Sequence, residues 1–213
     1  MTRYSPIRHS LARFTRRLAL AAGLSLVAVP LALSASAEGW VGDDGLHKQA
    51  WMRDTFLDLG EDLAEAQAEG RRMVIFFEQR GCIYCIQMHE EVFSDPDVSQ
   101  YIEDNFFVVQ LNLHGDREAV DLDGDAQAEK ALARKWGILF TPTLLFLPEE
   151  APEGATVSEA AVATMPGAFG KGTTIDMFTW VNEKRYETVD ETGEDFQRYH
   201  ARRIQERSDG SFD

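Results

Sequence analysis

Cysteine is scarce in this chain: 213 residues hold only two, Cys82 and Cys85. That excludes a disulfide-rich scaffold. A bridge between this pair would be no staple either, because closing so short a loop restricts the unfolded chain little. Positive charge is also short, with 21 Lys+Arg against 36 Asp+Glu and a net charge of −15. Such a balance argues against nucleic acid and against anionic membrane surfaces as partners. A long apolar run is missing as well: the stretch from Leu18 to Leu33 is short for a membrane span and is interrupted by Pro30. No internal repeat is present.

What the first residues do contain is a basic segment, with Arg3, Arg8, Arg13, Arg16 and Arg17 and no acid. The apolar stretch follows, then Ser34-Ala35-Ser36-Ala37. This order predicts a secretory signal peptide cleaved after Ala37, an exported (periplasmic) protein, and no membrane insertion after cleavage. Thr15-Arg16-Arg17-Leu18 hints at a twin-arginine signal, but the residues after it fit the general secretory route better. Cleavage would leave 176 residues, enough for one domain with a core, and 16 basic residues against the same 36 acids, a net charge of about −20.

The stretch around which the chain is organised is Arg80-Gly81-Cys82-Ile83-Tyr84-Cys85. The β-rich run Met73-Val74-Ile75-Phe76-Phe77 leads into it, and a helical pattern from Ile86 to Phe93 leads away. Strand, loop, Cys-x-x-Cys, helix is the layout of a thiol–disulfide redox site. A first cysteine at a helix N-terminus has unpaired N–H groups and the positive end of the helix dipole beside its sulfur, which favours the thiolate. A second cysteine one turn on is placed to close an intramolecular disulfide and release a trapped partner.

In order, the pattern predicts an irregular lead-in over 38–53 and a helix over 54–69 with Gly70 at its end. Arg71-Arg72 then open the strand 73–77. After the cysteine helix comes a short helix capped by Asp95 with Pro96 in its first turn, then a buried strand from Phe106 to Leu113. The acidic segment Asp116–Asp125 fails the calcium-loop pattern and reads as a solvated loop whose Asp125 caps a helix over 126–136. Pro142 stands at the mouth of an apolar strand. An acidic loop (149–159), a strand (161–165), a helix (174–186) and a loosely packed polar helix bearing Phe196 and Tyr199 complete the chain. Trp40, Trp51 and Phe56 read as packing from an N-terminal arm. Strands separated by helices imply a covered α/β sheet.

This element order resembles the thioredoxin fold over about 54–187, with a central mixed sheet flanked by helices and a C-terminal helix and tail over 188–213. Phe77 to Cys85, Met88-His89-Glu90-Glu91-Val92, Ser94-Asp95-Pro96, Leu113 to Glu118, Phe140-Thr141-Pro142-Thr143-Leu144 and Met165-Pro166-Gly167 narrow the resemblance to exported thioredoxin-like proteins of the SoxW/SoxS type. Those accompany bacterial sulfur-oxidation (Sox) systems. The resemblance implies Cys82 as the exposed attacking nucleophile, Cys85 as the buried resolving thiol, Pro142 as a cis-proline and Thr141 as a backbone contact for substrate. Thioredoxins themselves carry a buried acid six residues before the first cysteine. Phe76 stands there instead, which leaves Glu78 as the candidate proton acceptor against the alternative of a solvated strand-end carboxylate. Arg80 is a candidate modulator of Cys82, against that of a surface residue.

The function expected is a thioredoxin-like protein-disulfide reductase with no cofactor. Its clients would be proteins, among them a Sox sulfur-carrier or cytochrome component, and a membrane thiol transporter would be the electron donor. A disulfide oxidase or isomerase is the alternative within the same chemistry. A copper or zinc carrier using Cys82, Cys85 and His89 is another, although three ligands fall short of a closed site. A binding module using the groove around Pro142 is the third. His47, His114 and His200 show no ligand spacing and read as surface residues.

Overall fold

A computed structural model describes residues 39–209. The expected signal segment and its cleavage after Ala37 lie outside the described residues. Among the described residues no helix is long and apolar enough to cross a membrane.

The chain begins with a hairpin of β1 (Trp40–Val41) and β2 (His47–Lys48), then β3 (Met52–Arg53), α1 (Leu59–Ala68) and β4 (Arg72–Glu78). Helix α2 (Ile83–Met88) runs into a π-helical turn (His89–Phe93) and is followed by α3 (Pro96–Asn105) and β5 (Phe106–Asn112). A second hairpin, β6 (Glu118–Val120) and β7 (Ala126–Ala128), leads to α4 (Glu129–Lys135) and β8 (Thr143–Phe146). Helix α5 (Val157–Ala160), β9 (Ala163–Pro166) and α6 (Lys171–Asn182) follow; a 3₁₀ turn (Arg185–Thr188), α7 (Val189–Thr192) and α8 (Phe196–Ser208) close the described chain.

Five strands form one mixed sheet in the order β3-β5-β4-β8-β9, with β3, β5 and β4 parallel and β8 and β9 antiparallel to their neighbours. Central β4 is buried along its whole length, as a near-continuous apolar run requires. Successive side chains of a strand point to opposite faces. Met73, Ile75 and Phe77 therefore enter one core with Leu59, Leu63 and Leu132, while Val74 and Phe76 enter the other with Met88, Phe93, Ile102 and Phe178. Helices α1 and α4 cover one face; α2, α3 and α6 cover the other.

The lead-in is not irregular. Met52 pairs with Val108 and Arg53 with Val109, making β3 an edge strand, while Leu46, Gln49 and Trp51 are buried and the Trp51 indole N–H donates to Ser99 Oγ at 2.9 Å. Two-residue strands are too short to show periodicity. The expected aromatic arm divides: Trp51 is buried, Trp40 is half exposed and Phe56 is fully exposed. The first helix starts at Leu59, because Asp58 accepts the Gly60 and Glu61 amides and caps it there. Asp95 does cap α3, accepting from Asp97 and Val98, with Pro96 in the first turn.

Asp125 does not cap a helix over 126–136: residues 126–128 pair with β6, and α4 starts at Glu129. The segment before it is not wholly solvated either. Asp121 is buried, accepting from Leu122 N, Val157 N and Trp136 Nε1, so it ties the hairpin to α5. The acidic loop 149–159 gains α5 at its end through a reciprocal cap between Thr156 and Glu159. Nor does the last helix pack loosely. Tyr199 is buried beneath the guanidinium groups of Arg185 and Arg202, and buried Asp176 in α6 accepts from Arg207 and His200 of α8. His200 is thus partly buried and bonded to a buried carboxylate rather than a free surface residue.

Candidate redox site

Gly81, with φ at +72°, turns the chain from the end of β4 into α2, a conformation that disfavours any side chain. Cys82 then takes the N-cap position, extended at φ −74° and ψ 102°, and its Sγ accepts the Cys85 amide at 3.0 Å. Burying Cys85 and Met88 fixes the helix on the sheet. The two cysteines form a disulfide with Cα atoms 5.2 Å apart. In this oxidised state Cys82 is 4% exposed rather than open, and Cys85 is fully buried.

The cover over Cys82 comes from the loop before β8. The Thr141–Pro142 bond is cis. The Thr141 hydroxyl donates to Cys82 Sγ at 3.2 Å, and the Thr141 carbonyl oxygen lies 3.5 Å from the same sulfur. Both the side chain and the backbone of Thr141 thus face the Cys82 sulfur. The Pro142 carbonyl accepts from Gly167 N at 2.7 Å, which joins this loop to the end of β9. Five apolar side chains are exposed on the segments that carry the disulfide and the cis-proline loop or follow β9: Ile83 and Tyr84 between the cysteines, Leu139 and Phe140 before Thr141, and Phe169 after Gly167.

Glu78 is not a solvated strand-end carboxylate. It is fully buried, accepting the His47 amide at 3.0 Å on Oε2 and pairing with His89 Nε2 at 2.7 Å through Oε1. His89 Nδ1 lies 3.1 Å from Gln49 Nε2. The sequence points to Glu78; it does not point to His89 or Gln49 as its companions, since Gln49 precedes His89 by 40 residues and no local pattern joins them. Arg80 is exposed, and its guanidinium donates to the Asp44 carbonyl at 3.3 Å, fastening the first hairpin to the residues before Cys82.

The carrier reading fares poorly. Both His89 ring nitrogens are engaged, and among the described residues no three His, Cys, Asp or Glu side chains are grouped to hold a metal ion. In the Asp121–Asp125 segment the cation is the chain's own: Lys135 Nζ sits 2.8, 2.8 and 3.1 Å from Asp121, Asp123 and Asp125.

A model of the thioredoxin-like domain family matches residues 59–164. No curated protein matches the chain by sequence. Among solved structures, a thioredoxin-fold protein from Helicobacter pylori superposes at a TM-score of 0.52 with 15% identity, covering 66% of this chain and 86% of that one. A thioredoxin from Thermus thermophilus is 30% identical, with 58% and 83% covered and a TM-score of 0.44. The C-terminal domain of DsbD from Neisseria meningitidis is 16% identical, with 57% and 90% covered and a TM-score of 0.38.

Proposed function

We propose that this chain, whose residues 59–164 form a thioredoxin-like domain, is an exported protein-disulfide reductase that works through Cys82 and Cys85. One observation carries the reading: the Cys82–Cys85 disulfide caps α2 with Cys82 Sγ held against the loop of the cis Thr141–Pro142 bond.

The steps balance as follows. In the dithiol form, the Cys82 thiolate attacks one sulfur of a client disulfide; a mixed disulfide forms and the other client sulfur leaves as a thiolate. Cys85 then loses its proton and attacks Cys82 Sγ. The internal disulfide closes and the second client sulfur leaves, so that two electrons pass to the client. Thr141 presents a hydroxyl to the Cys82 sulfur and its backbone to an approaching client strand. Ile83, Tyr84, Leu139, Phe140 and Phe169 give the client an apolar surface to bury, which favours protein clients over small disulfides. The net charge of −15 favours clients with basic or neutral surfaces.

Export to the periplasm rests on residues 1–37, and service to a Sox sulfur-carrier or cytochrome component, with a membrane thiol transporter as donor, rests on the resemblance of the quoted motifs to SoxW/SoxS-type proteins. Insulin-disulfide reduction with dithiothreitol tests the activity: the native protein accelerates it and Cys82→Ser does not. Equal rates would remove the reading. A redox-buffer titration settles direction, a value near that of thioredoxin, roughly −270 mV, marking a reductant and one near −120 mV an oxidant. Cys85→Ser, which leaves the mixed disulfide unresolved, identifies the client by capture.

A further inference from the structure

Among the described residues five carboxylates are buried: Asp62, Glu78, Asp121, Glu129 and Asp176. The last four each have a histidine or a cation in ion-pair range, respectively His89, Lys135, Arg117 and Arg207. Asp62 has none among the described residues, and the charges acting on it are those of Glu65, Asp58 and Glu61, all of its own sign. An acid is almost never buried without a partner, so Asp62 is the exception to be explained.

Its Oδ2 accepts from the Thr55 hydroxyl at 3.0 Å, whereas Oδ1 meets no donor among the described residues. The side chain is not sealed in. It lines a crevice of about 400 Å³ bounded by β3 and α1, on the sheet face opposite α2. Asp54, Asp58, Glu61 and Glu65 line the same crevice. The positions 58, 61, 62 and 65 follow the i, i+3, i+4, i+7 spacing of one helix face, where like charges repel. Arg53 also lines the crevice but is engaged elsewhere: it pairs with Glu69, and its guanidinium lies 4.9 Å from the centre of the Phe107 ring.

Phe56 stands on the same wall with its side chain fully exposed. The Thr55 hydroxyl that meets Asp62 also accepts the Leu57 amide at 3.1 Å, and Leu57 is buried, which leaves Phe56 facing out between them. An unpaired buried charge and a bare aromatic ring each work against the isolated fold. Local conflicts of this kind gather at functional sites.

A metal ion does not fit here, since among the described residues no three ligating side chains are grouped to hold one. A guanidinium does fit. Its N–H fork can donate to the free Asp62 oxygen and to a neighbouring carboxylate while its flat face lies on the Phe56 ring. An ammonium supplies the charge without the stacking face. We propose that this crevice is a docking site for an arginine side chain of a partner protein, with Asp62 as the buried anion it neutralises and Phe56 as the ring it packs on. The site is separate from the exchange chemistry, because none of its lining residues lies on the disulfide or cis-proline segments.

The test titrates a blocked Gly-Arg-Gly peptide into the isotope-labelled full chain at low ionic strength, with the citrulline peptide as its uncharged counterpart. The arginine peptide is expected to move the amide signals of residues 54–65, and the citrulline peptide to leave them in place. Asp62→Asn weakens binding at least about 10-fold, and Phe56→Ala weakens it roughly 3-fold. Glu153→Gln, which removes the charge of an exposed acid outside the crevice, changes binding less than about 2-fold. Equal effects of Asp62→Asn and Glu153→Gln would mean that net charge alone attracts the peptide, and would overturn the proposal. Calcium moving the same signals would overturn it in favour of a metal. A native dimer that Asp62→Asn dissociates would overturn it in favour of a second copy of this chain. None of these readouts involves the cysteines, so a failure here is distinguishable from a failure of the disulfide-exchange reading.

Discussion

The Thr141 hydroxyl points at Cys82 Sγ from 3.2 Å, and both groups are buried. When the disulfide is reduced, that hydroxyl has a thiolate to donate to, and hydrogen bonds to charged groups contribute about 1.5–3 kcal/mol. Replacing it with a methyl of the same shape removes the donor and keeps the packing. Thr141→Val is expected to slow alkylation of Cys82 by iodoacetamide about 10-fold at neutral pH, with the difference closing at a pH high enough to ionise both proteins. Equal rates at neutral pH would leave Thr141 with its backbone role alone.

Asp176 fastens the C-terminal helix. Its carboxylate, fully buried in α6, accepts from Arg207 at 2.8 and 2.7 Å and from His200 at 2.6 Å. Burial alone would push this carboxyl up, but the bonds from Arg207 and His200 outweigh it and hold the pKa below the ordinary carboxylate value. A depressed folded-state pKa contributes stability that is present above the unfolded value, near 3.8, and is lost as pH falls through the folded one. Asp176→Asn is expected to cost about 1–2 kcal/mol in guanidinium unfolding at pH 7, because it weakens the charge-assisted bonds from the partly exposed Arg207 and the bond from His200 to a buried carboxylate. The gap between variant and native protein narrows below about pH 4. A constant gap across that range would show that Asp176 acts through packing only.

How much of this was legible in the sequence follows the range of the interactions. The strand into Cys82, the cap at Asp95 and the proline at the mouth of β8 are set by neighbours within a few residues, and each reads directly. The thioredoxin-like sheet follows from their order. The surroundings of Glu78 do not read out, because His47 reaches it from 31 residues away, Gln49 reaches its partner His89 from 40 residues away, and β2 is only two residues long. Asp125 looks like a helix cap because an acid precedes a helical pattern; pairing of Ala126–Ala128 with β6 displaces that helix to Glu129. The last helix looks loose because its partner, Asp176, is an acid hidden among apolar residues of α6, where a hydrophobic pattern gives it no weight.

Asp62 reverses the sign found at Asp176. It lies on the inner side of α1, 5% exposed, with the Thr55 hydroxyl at 3.0 Å and, among the described residues, no cation in its ion-pair range. Burial pushes its carboxyl up to about 6; the Thr55 bond pulls the other way, and the charges of Glu65, Asp58 and Glu61 add to the rise. A raised folded-state pKa means that the ionised form is disfavoured in the fold, so stability falls as pH climbs from the unfolded value near 3.8 to about 6, and the cost is complete above that. Asp62→Asn keeps an acceptor for Thr55 and removes the charge. The variant is expected to be more stable than the native protein by about 1–2 kcal/mol at pH 7 and equal to it near pH 4, as read from chemical denaturation at both values. A variant that is less stable at pH 7 would mean that the carboxylate is satisfied by solvent in the adjoining crevice beside Thr55, Phe56 and Glu65, and that its ionisation costs the fold nothing.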